Sequence, residues 1–563
     1  MNLSKLKEQH TMKQFLFLIF AFPSFLIAQK EILNLEQTEI EKQRFKLSWE
    51  CRLNGAAGVQ YGLTRDLEIG IQSTRKKGVL KHEVQLNNLE AATFYYVRPF
   101  MANGVDTLWG TLGYYSTQSN STGEIRVLFN QGIDPLYSNG SVPYISTGGG
   151  NIENEIIRMI NQATTTIDIC VYNNTRSGIV TALNNASNNG VQVRYIANSG
   201  SLTSNAALSN PSPSFPVLYA NAADLMHNKF MIVDAASVNS SWVWTGSCNW
   251  TYTDMYTNYN NSIAIQDQAL AQAYVLEFEE MWGSSTANFD LITSKAGAQK
   301  TNNTPHTFNI GGRTVESYFS PSDNTTDEIE TSFYSANNDI EFCILSYTRN
   351  ELGTAMRNEH SAGTLEHGIM ENINDLGSEY AWLTGQGVNL LADNHTTTLH
   401  HKYAIVDAGA IHSDPLVVTG SHNWTTAAEE RNDENTLIIH DADIANLYLQ
   451  EFTARWCEVK NNINCTLPFT VYSEVHRVEE SEEAVTVYPN PTNGLLTLDF
   501  QDLLGAALTI KVYNSTGELL QSRVLKEQNG TYSFDLGVDI SGIYFLSIQT
   551  ETKIWRKSVA VIR

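Results

Sequence analysis

Basic side chains are scarce in this chain. Lysine and arginine number 36 against 60 aspartates and glutamates, a formal net charge of −24. A protein this acidic lacks the positive footprint of a tight, nonspecific nucleic-acid binder. A local basic pocket inside an acidic shell remains compatible with that balance. Charge of either sign is thin, at 17% of residues, which together with plentiful aromatic and small polar residues suits a secreted, soluble protein. Beyond the first 29 residues no segment reaches the ~18 apolar residues of a spanning helix, so no stable membrane span is expected. Cysteine is also sparse: Cys51, Cys170, Cys248, Cys343, Cys457 and Cys465. None belongs to a C-x-x-C or Cys-His cluster that would suggest zinc. Cys170 and Cys343 look like core packing. Cys457 and Cys465 are close enough for a disulfide in an oxidising compartment.

What the chain does have is one motif, twice. The first copy reads His227-x-Lys229-x4-Asp234 and is followed by Gly246-Ser247-x-Asn249. The second reads His400-x-Lys402-x4-Asp407, followed by Gly420-Ser421-x-Asn423, and its histidine lies 400 − 227 = 173 residues on. A lone H-x-K is an ordinary edge-strand pattern, and a lone G-S-x-N is a turn. The equal spacing of two copies is what makes the signal specific.

Residues two apart on a strand share a face, so each His-Lys pair points one way. The apolar runs 230–233 and 403–406 read as buried strands that hold those pairs rigidly. Cleaving a phosphodiester needs a nucleophile, an acid for the leaving alkoxide and positive charge at the phosphoryl oxygens. Two histidines supply nucleophile and acid, and two lysines supply charge. Ser247, Asn249, Ser421 and Asn423 are candidate neutral donors to the substrate. Carboxylates fix the imidazole tautomers.

The paired motif resembles the phospholipase D superfamily over roughly residues 124 to 460. The resemblance implies an α/β pseudo-dimer, two mixed-sheet α/β/α repeats around one site, in a monomeric chain, and metal-independent hydrolysis through phosphohistidine with no cofactor. It carries a catalytic assignment onto His227, Lys229, Asp234, His400, Lys402 and Asp407. Two departures stand out. The gaps between motif aspartate and glycine hold 11 and 12 residues, which implies longer hairpins. The glutamate that the family places after G-S-x-N is Glu434 in repeat two, also assigned as catalytic, but Asn260 in repeat one. That leaves open which histidine attacks, with His400 a candidate for the better-oriented ring.

In order along the chain, residues 1–29 read as a cleaved signal peptide, with Lys13 before the apolar run Phe15 to Ile27 and either Met1 or Met12 as start. Residues 31–118 form a small all-β module that resembles fibronectin type III near its tyrosine corner. Phospholipase D-like repeats are expected at 124–290 and 311–460, with a helix at 369–376 before the strand 388–391 of the second. Arg176 and Arg349 read as strand-helix ion pairs, and Trp250 and Trp424 as core. Residues 468–484 read as an acidic linker. Residues 485–563 resemble the C-terminal sorting domain of the type IX secretion system, through Tyr488-Pro-Asn-Pro-x-x-Gly494 and Gly542-x-Tyr544. These β modules are expected as sandwiches flanking the α/β core. The resemblance implies the type IX machinery as partner and a secreted or outer-surface location on a Gram-negative bacterium. The expected activity is phospholipid phosphodiester hydrolysis. The same chemistry on DNA or RNA is the alternative, and an adhesion protein with a vestigial site is a third reading.

Overall fold

In the computed structural model the strand Lys229–Val233 is buried at every position, and so is its counterpart Lys402–Val406. Continuous burial of this kind needs cover on both faces of a sheet. Each strand is central in an eight-stranded mixed sheet. The structure describes residues 32–562 except 52, 54, 75–79, 142, 201–202, 221–223, 411–412, 462–484, 501–507, 514–518, 526–529, 539–540 and 550–553. The expected signal peptide and acidic linker lie outside the described residues.

In the first sheet Lys229–Val233 runs antiparallel to Thr166–Val171 on one side and to Trp242–Gly246 on the other. Thr166–Val171 pairs in parallel with Gln192–Asn198, and Asn261–Ile265 continues the sheet beyond Trp242–Gly246. The second sheet repeats this with Asp339–Ile344, Leu365–Met370, Lys402–Val406, Leu416–Gly420 and Glu434–His440. The sheets differ at one edge. Tyr144–Thr147 lies parallel to its neighbour in the first, and Thr307–Ile310 antiparallel in the second.

Helices cover the outer faces. Gly149–Gln162 puts Ile152, Ile156 and Ile160 into the outer core of repeat one. Trp250 belongs to that core and Trp424 to its counterpart, both almost wholly buried. The inner faces share one core that joins both repeats, with Phe230 6.3 Å from Phe319 and Phe129 5.1 Å from Tyr448, ring to ring. The helices Gln268–Trp282 and Ala442–Val459 lie in it. Asp267 and Asp441 cap their first turns by accepting N–H bonds from Leu270 and Ile444.

One expectation is corrected here. Residues 369–376 are not a helix: Ile369 and Met370 end the buried strand Leu365–Met370, and the preceding helix is Asn350–Ala362. That helix is polar on most of its surface and buries only Leu352, Gly353, Ala355 and Met356, so its apolar stripe is faint in the sequence.

The chain divides into two compact units. The smaller holds most of an N-terminal β module with a three-stranded sheet (Leu33–Glu41, Arg44–Glu50, Lys81–Asn87) and a second sheet built on Ala56–Gly62 and Phe94–Ala102. The C-terminal strands form sheets of three and four around Leu498, Ile510, Val512, Phe534 and Ile548. No helix among the described residues is long and apolar enough to cross a membrane. Cys51, Cys170, Cys248 and Cys343 are free. Cys457 is disulfide-bonded, and its expected partner Cys465 lies outside the described residues.

Candidate functional site

The two motif copies meet through exchanged backbone bonds. His227 N–H donates to Asp433 O at 3.0 Å, and His400 N–H donates to Tyr259 O at 2.9 Å. Deeper in, Asn261 accepts from Thr419 Oγ1 at 2.9 Å, and Asn435 donates to Thr245 Oγ1 at 2.6 Å. Each contact has its mirror in the other repeat, as a two-fold self-complementary interface requires.

Each imidazole is held by the opposite repeat. Glu434 Oε2 accepts from His227 Nδ1 at 2.8 Å, and Asn260 Oδ1 accepts from His400 Nδ1 at 2.8 Å. An ionised carboxylate only accepts, so Nδ1 of His227 carries the proton and Nε2 faces away from the bond. Glu434 therefore serves His227 and not its own repeat's His400, which corrects the expectation that His400 is the better-oriented ring. Tyr172 packs edge-on against His227 with centroids 5.0 Å apart. Lys229 and Lys402 each donate to the carbonyl of their own histidine, at 2.6 and 2.8 Å.

The serines sit one step behind. Ser247 donates to Asn260 Oδ1 at 2.8 Å and accepts from Asn261 N–H at 3.1 Å. Ser421 donates to Glu434 Oε2 at 2.6 Å and accepts from Asn435 N–H at 3.0 Å. Their hydroxyls thus align Asn260 and Glu434. The preceding glycines make this approach possible. Gly246 has φ 141°, and a Cβ there would lie 2.4 Å from Asn261 O; at Gly420, φ 154°, it would lie 2.1 Å from Asn435 O. Asn249 donates its amide to Asp254 Oδ2 at 2.9 Å. Asn423 follows Ser421 in the same position as Asn249 follows Ser247, and its Oδ1 is buried.

The motif aspartates are not brought to the histidines. Lys229 pairs with Val171 at one end of the strand, whereas Val233 pairs with Ile167 near the other, where Asp234 follows. Asp234 there accepts from the N–H groups of Thr164, Thr165 and Thr166 and from the hydroxyls of Thr164 and Thr165. Asp407 likewise accepts from the N–H groups of Asn337, Asn338 and Asp339 and from Ser413. Both take positive φ, 47° and 52°, a conformation Asp tolerates better than most residues. They clamp the turn that feeds the neighbouring strand, at the opposite end of the motif strand from Lys229 and Lys402.

The electrostatics bind the cluster into one site. Burial would raise the Glu434 carboxyl, but the His227 charge, the His227 bond and Lys229 hold it down to about 2. Burial lowers Lys229 to about 8 and Lys402 well below the usual ammonium range, the latter helped by Lys229. Burial also pushes His400 well below the usual imidazole range; Lys402, Lys229 and His227 add to this, and Asp254 opposes it. His227 is lowered by burial against the pull of Glu434. Two buried ammonium groups with weakened protonation mark a pocket short of negative charge, which a bound phosphodiester would supply. Sequence reasoning passed over Asp254 and Tyr172. Neither belongs to the repeated motif, and no spacing rule points to them.

Residues 156–282 and 330–456 match a family model described as "Cardiolipin synthase, PLD-like domain". Residues 486–562 match one described as "Secretion system C-terminal sorting domain". Among curated proteins, the chain is similar to mitochondrial cardiolipin hydrolase of Mus musculus, 30% identical over 141 residues, 24% of this chain and 60% of that protein. It is similar to the Xenopus tropicalis protein of the same name, at 34% over 125 residues, 22% of this chain and 57% of that protein. It also resembles a phospholipase D of Rickettsia bellii, 43% identical over 56 residues, 10% of this chain and 25% of that protein. Among solved structures, the phospholipase D family member Nuc from Salmonella typhimurium aligns with 25% identity and a TM-score of 0.23, over 26% of this chain and 94% of that one. The match thus spans 60% of the mouse relative's length.

Proposed function

The chain carries two phospholipase D-like domains and a C-terminal secretion sorting domain, and we propose that it is an exported phosphodiesterase hydrolysing phospholipids. The observation that carries this reading is the crossed pair of imidazoles, His227 on Glu434 and His400 on Asn260, with Lys229 and Lys402 beside them. The domain limits that go with it are 31–118, 124–290, 311–460 and 485–563.

His227 is the nucleophile. Its Nδ1–H is fixed by an ionised glutamate, so Nε2 presents its lone pair, and the same glutamate offsets the positive ring that phosphorylation creates. Nε2 attacks phosphorus; the P–O bond to the alkoxide breaks, and His400 Nε2–H gives that oxygen its proton. Neutral His400 then takes a proton from water as the water oxygen attacks phosphorus and the P–N bond breaks. Lys229 and Lys402 neutralise charge on the non-bridging oxygens. The substrate's own charge helps to load the proton on His400, because it offsets the two lysines. Lipid as the substrate class is supported by the names of the relatives and by the acidity of the chain. The sorting domain supports export through the type IX machinery.

The test is turnover of cardiolipin, phosphatidylcholine and single-stranded DNA with EDTA present, beside His227→Ala and His400→Ala. Metal-independent release of a lipid headgroup, lost in both variants, is expected. Turnover of DNA alone would replace lipid by nucleic acid as substrate. Activity near wild type in either variant would end the shared-site reading.

A further inference from the structure

Beside the crossed imidazoles and their two acceptors, the site holds a buried carboxylate, Asp254, whose position in the other repeat is not a carboxylate. Asp254 is the third residue after the capping Thr251 of the helix Tyr252–Tyr256. The matching place after Thr425 is Ala428. Conversely, repeat two offers Glu434 where repeat one has only Asn260. Resting on the reading above, we infer that Asp254 is a positioning residue for His400, replacing the carboxylate that the Asn260 position lacks.

Three observations support it. Asp254 Oδ1 lies 4.0 Å from His400 Nδ1, just beyond the Asn260 oxygen that accepts that N–H. The carboxylate is fixed: Oδ2 accepts from Asn249 at 2.9 Å and Thr251 at 3.0 Å, and Oδ1 from Asn258 at 2.8 Å. The backbone carbonyl of Asp254 accepts from Asn260 Nδ2 at 3.0 Å, which forces the Asn260 oxygen, not its nitrogen, toward His400. One residue thus sets both the neutral acceptor and the charge behind it.

Charge balance explains why it is needed. The groups that face His400 are Lys402 on its own strand, Lys229 and His227 from the first motif and Asp254 from the short helix. When His400 holds its proton and His227 is the neutral nucleophile, the cations are Lys229, Lys402 and His400. The anions are Glu434, Asp254 and the substrate diester. Three meet three. Without Asp254 a buried site keeps one cation too many, and the proton on His400 is the easiest to lose. Asn260 cannot prevent this, because an amide oxygen carries no net charge.

The experiment compares Asp254→Asn with the double variant Asp254→Ala/Asn260→Glu, which moves the charge to the place repeat two uses. The readouts are the pH profile of kcat on whichever alkoxide-leaving diester the assay above identifies, and the pre-steady-state burst with bis(p-nitrophenyl) phosphate, whose leaving group needs no proton. Asp254→Asn is expected to lower kcat on the alkoxide diester about 10²-fold. The basic limb of its profile should move to lower pH, while the burst rate changes less than about threefold. The double variant should recover most of the loss. An unmoved limb, equal losses with both leaving groups, or a folded double variant with no recovery would overturn the inference. If both variants fail to fold by circular dichroism, Asp254 is structural and the inference falls as well. His400→Ala separates the two levels: wild-type turnover there removes the shared-site reading itself, whereas an inactive His400→Ala beside an unmoved Asp254→Asn profile removes only this one.

Discussion

Repeat two lends repeat one a glutamate; repeat one returns an asparagine. Apart from that exchange and Asp254, the two halves match closely around the site, with the same serine behind the acceptor, the same lysine on its histidine's carbonyl and the same backbone bridge. A symmetric pair of imidazoles would have no reason to divide the work. Charge on one side and neutrality on the other give two rings of unequal basicity, the arrangement that acid–base pairs use elsewhere. The second contrast lies away from the site. In repeat one Asp168 faces Arg194 across adjacent strands in a two-pronged ion pair of 2.6 and 2.9 Å. The same register in repeat two holds Glu341 and His367, 3.5 Å apart, with neither Glu341 oxygen hydrogen-bonded.

The largest expected effect separates the two histidines. Both alanine variants should lose steady-state turnover by about 10³-fold or more, with the double variant little worse. They should differ in the trap: His400→Ala accumulates acid-labile phosphoenzyme from bis(p-nitrophenyl) phosphate, and His227→Ala forms none. The reverse pattern would exchange their roles. Next comes Glu434→Gln, which makes the two acceptors alike. A loss of about 10²-fold is expected. Because Glu434 is held at about 2, it stays ionised above about pH 4, so the acid limb of the wild-type profile belongs to another group and should persist in the variant.

Smaller effects fall on stability. Asp234→Ala removes the acceptor of three N–H groups and two hydroxyls, and should cost about 3 kcal/mol in a denaturant titration. Asp407→Ala should cost somewhat less, and both should leave the pH profile of kcat unchanged. A profile that moved would return these aspartates to the chemistry. The smallest effect tests the Glu341 contrast. Burial, then the charges of Asp407 and Glu366, hold Glu341 well above the carboxylate range, so the folded chain keeps a proton that the unfolded chain releases near the ordinary glutamate value of 4.5. Stability from this group therefore falls as pH rises above that value. Glu341→Gln should raise the melting temperature by a few degrees at pH 8 and leave it unchanged at pH 4. Asp168→Asn should lower it at pH 8, because Arg194 then keeps only the longer, 3.3 Å pair with Glu279.

Much of this was legible in the residues. The duplicated motif pointed to paired core strands, and the apolar runs 230–233 and 403–406 are buried throughout. Arg176 and Arg349 make the ion pairs expected of them, with Glu153 and with Glu351 and Glu430. What a linear pattern could not carry is partnership across the pseudo-two-fold. Glu434 follows His400 in the chain, yet the interface hands it to His227. The serines were read as donors from their chemistry and the motif aspartates as catalytic from the resemblance, and neither reading carries the partners they take in the fold. The missed strand Leu365–Met370 begins with Leu-Glu-His, polar groups buried against Glu341 and its neighbours, so period and hydropathy gave no warning.

The reciprocal donation of His227 to Asp433 and of His400 to Tyr259 has a last consequence. In an assembly of two identical subunits every substitution is written twice, and the halves cannot diverge. Here both copies are encoded on a single chain, so each can drift alone while still completing the other. Inequality between the imidazoles is a freedom that fusion confers, and a homodimer of either half would forfeit it.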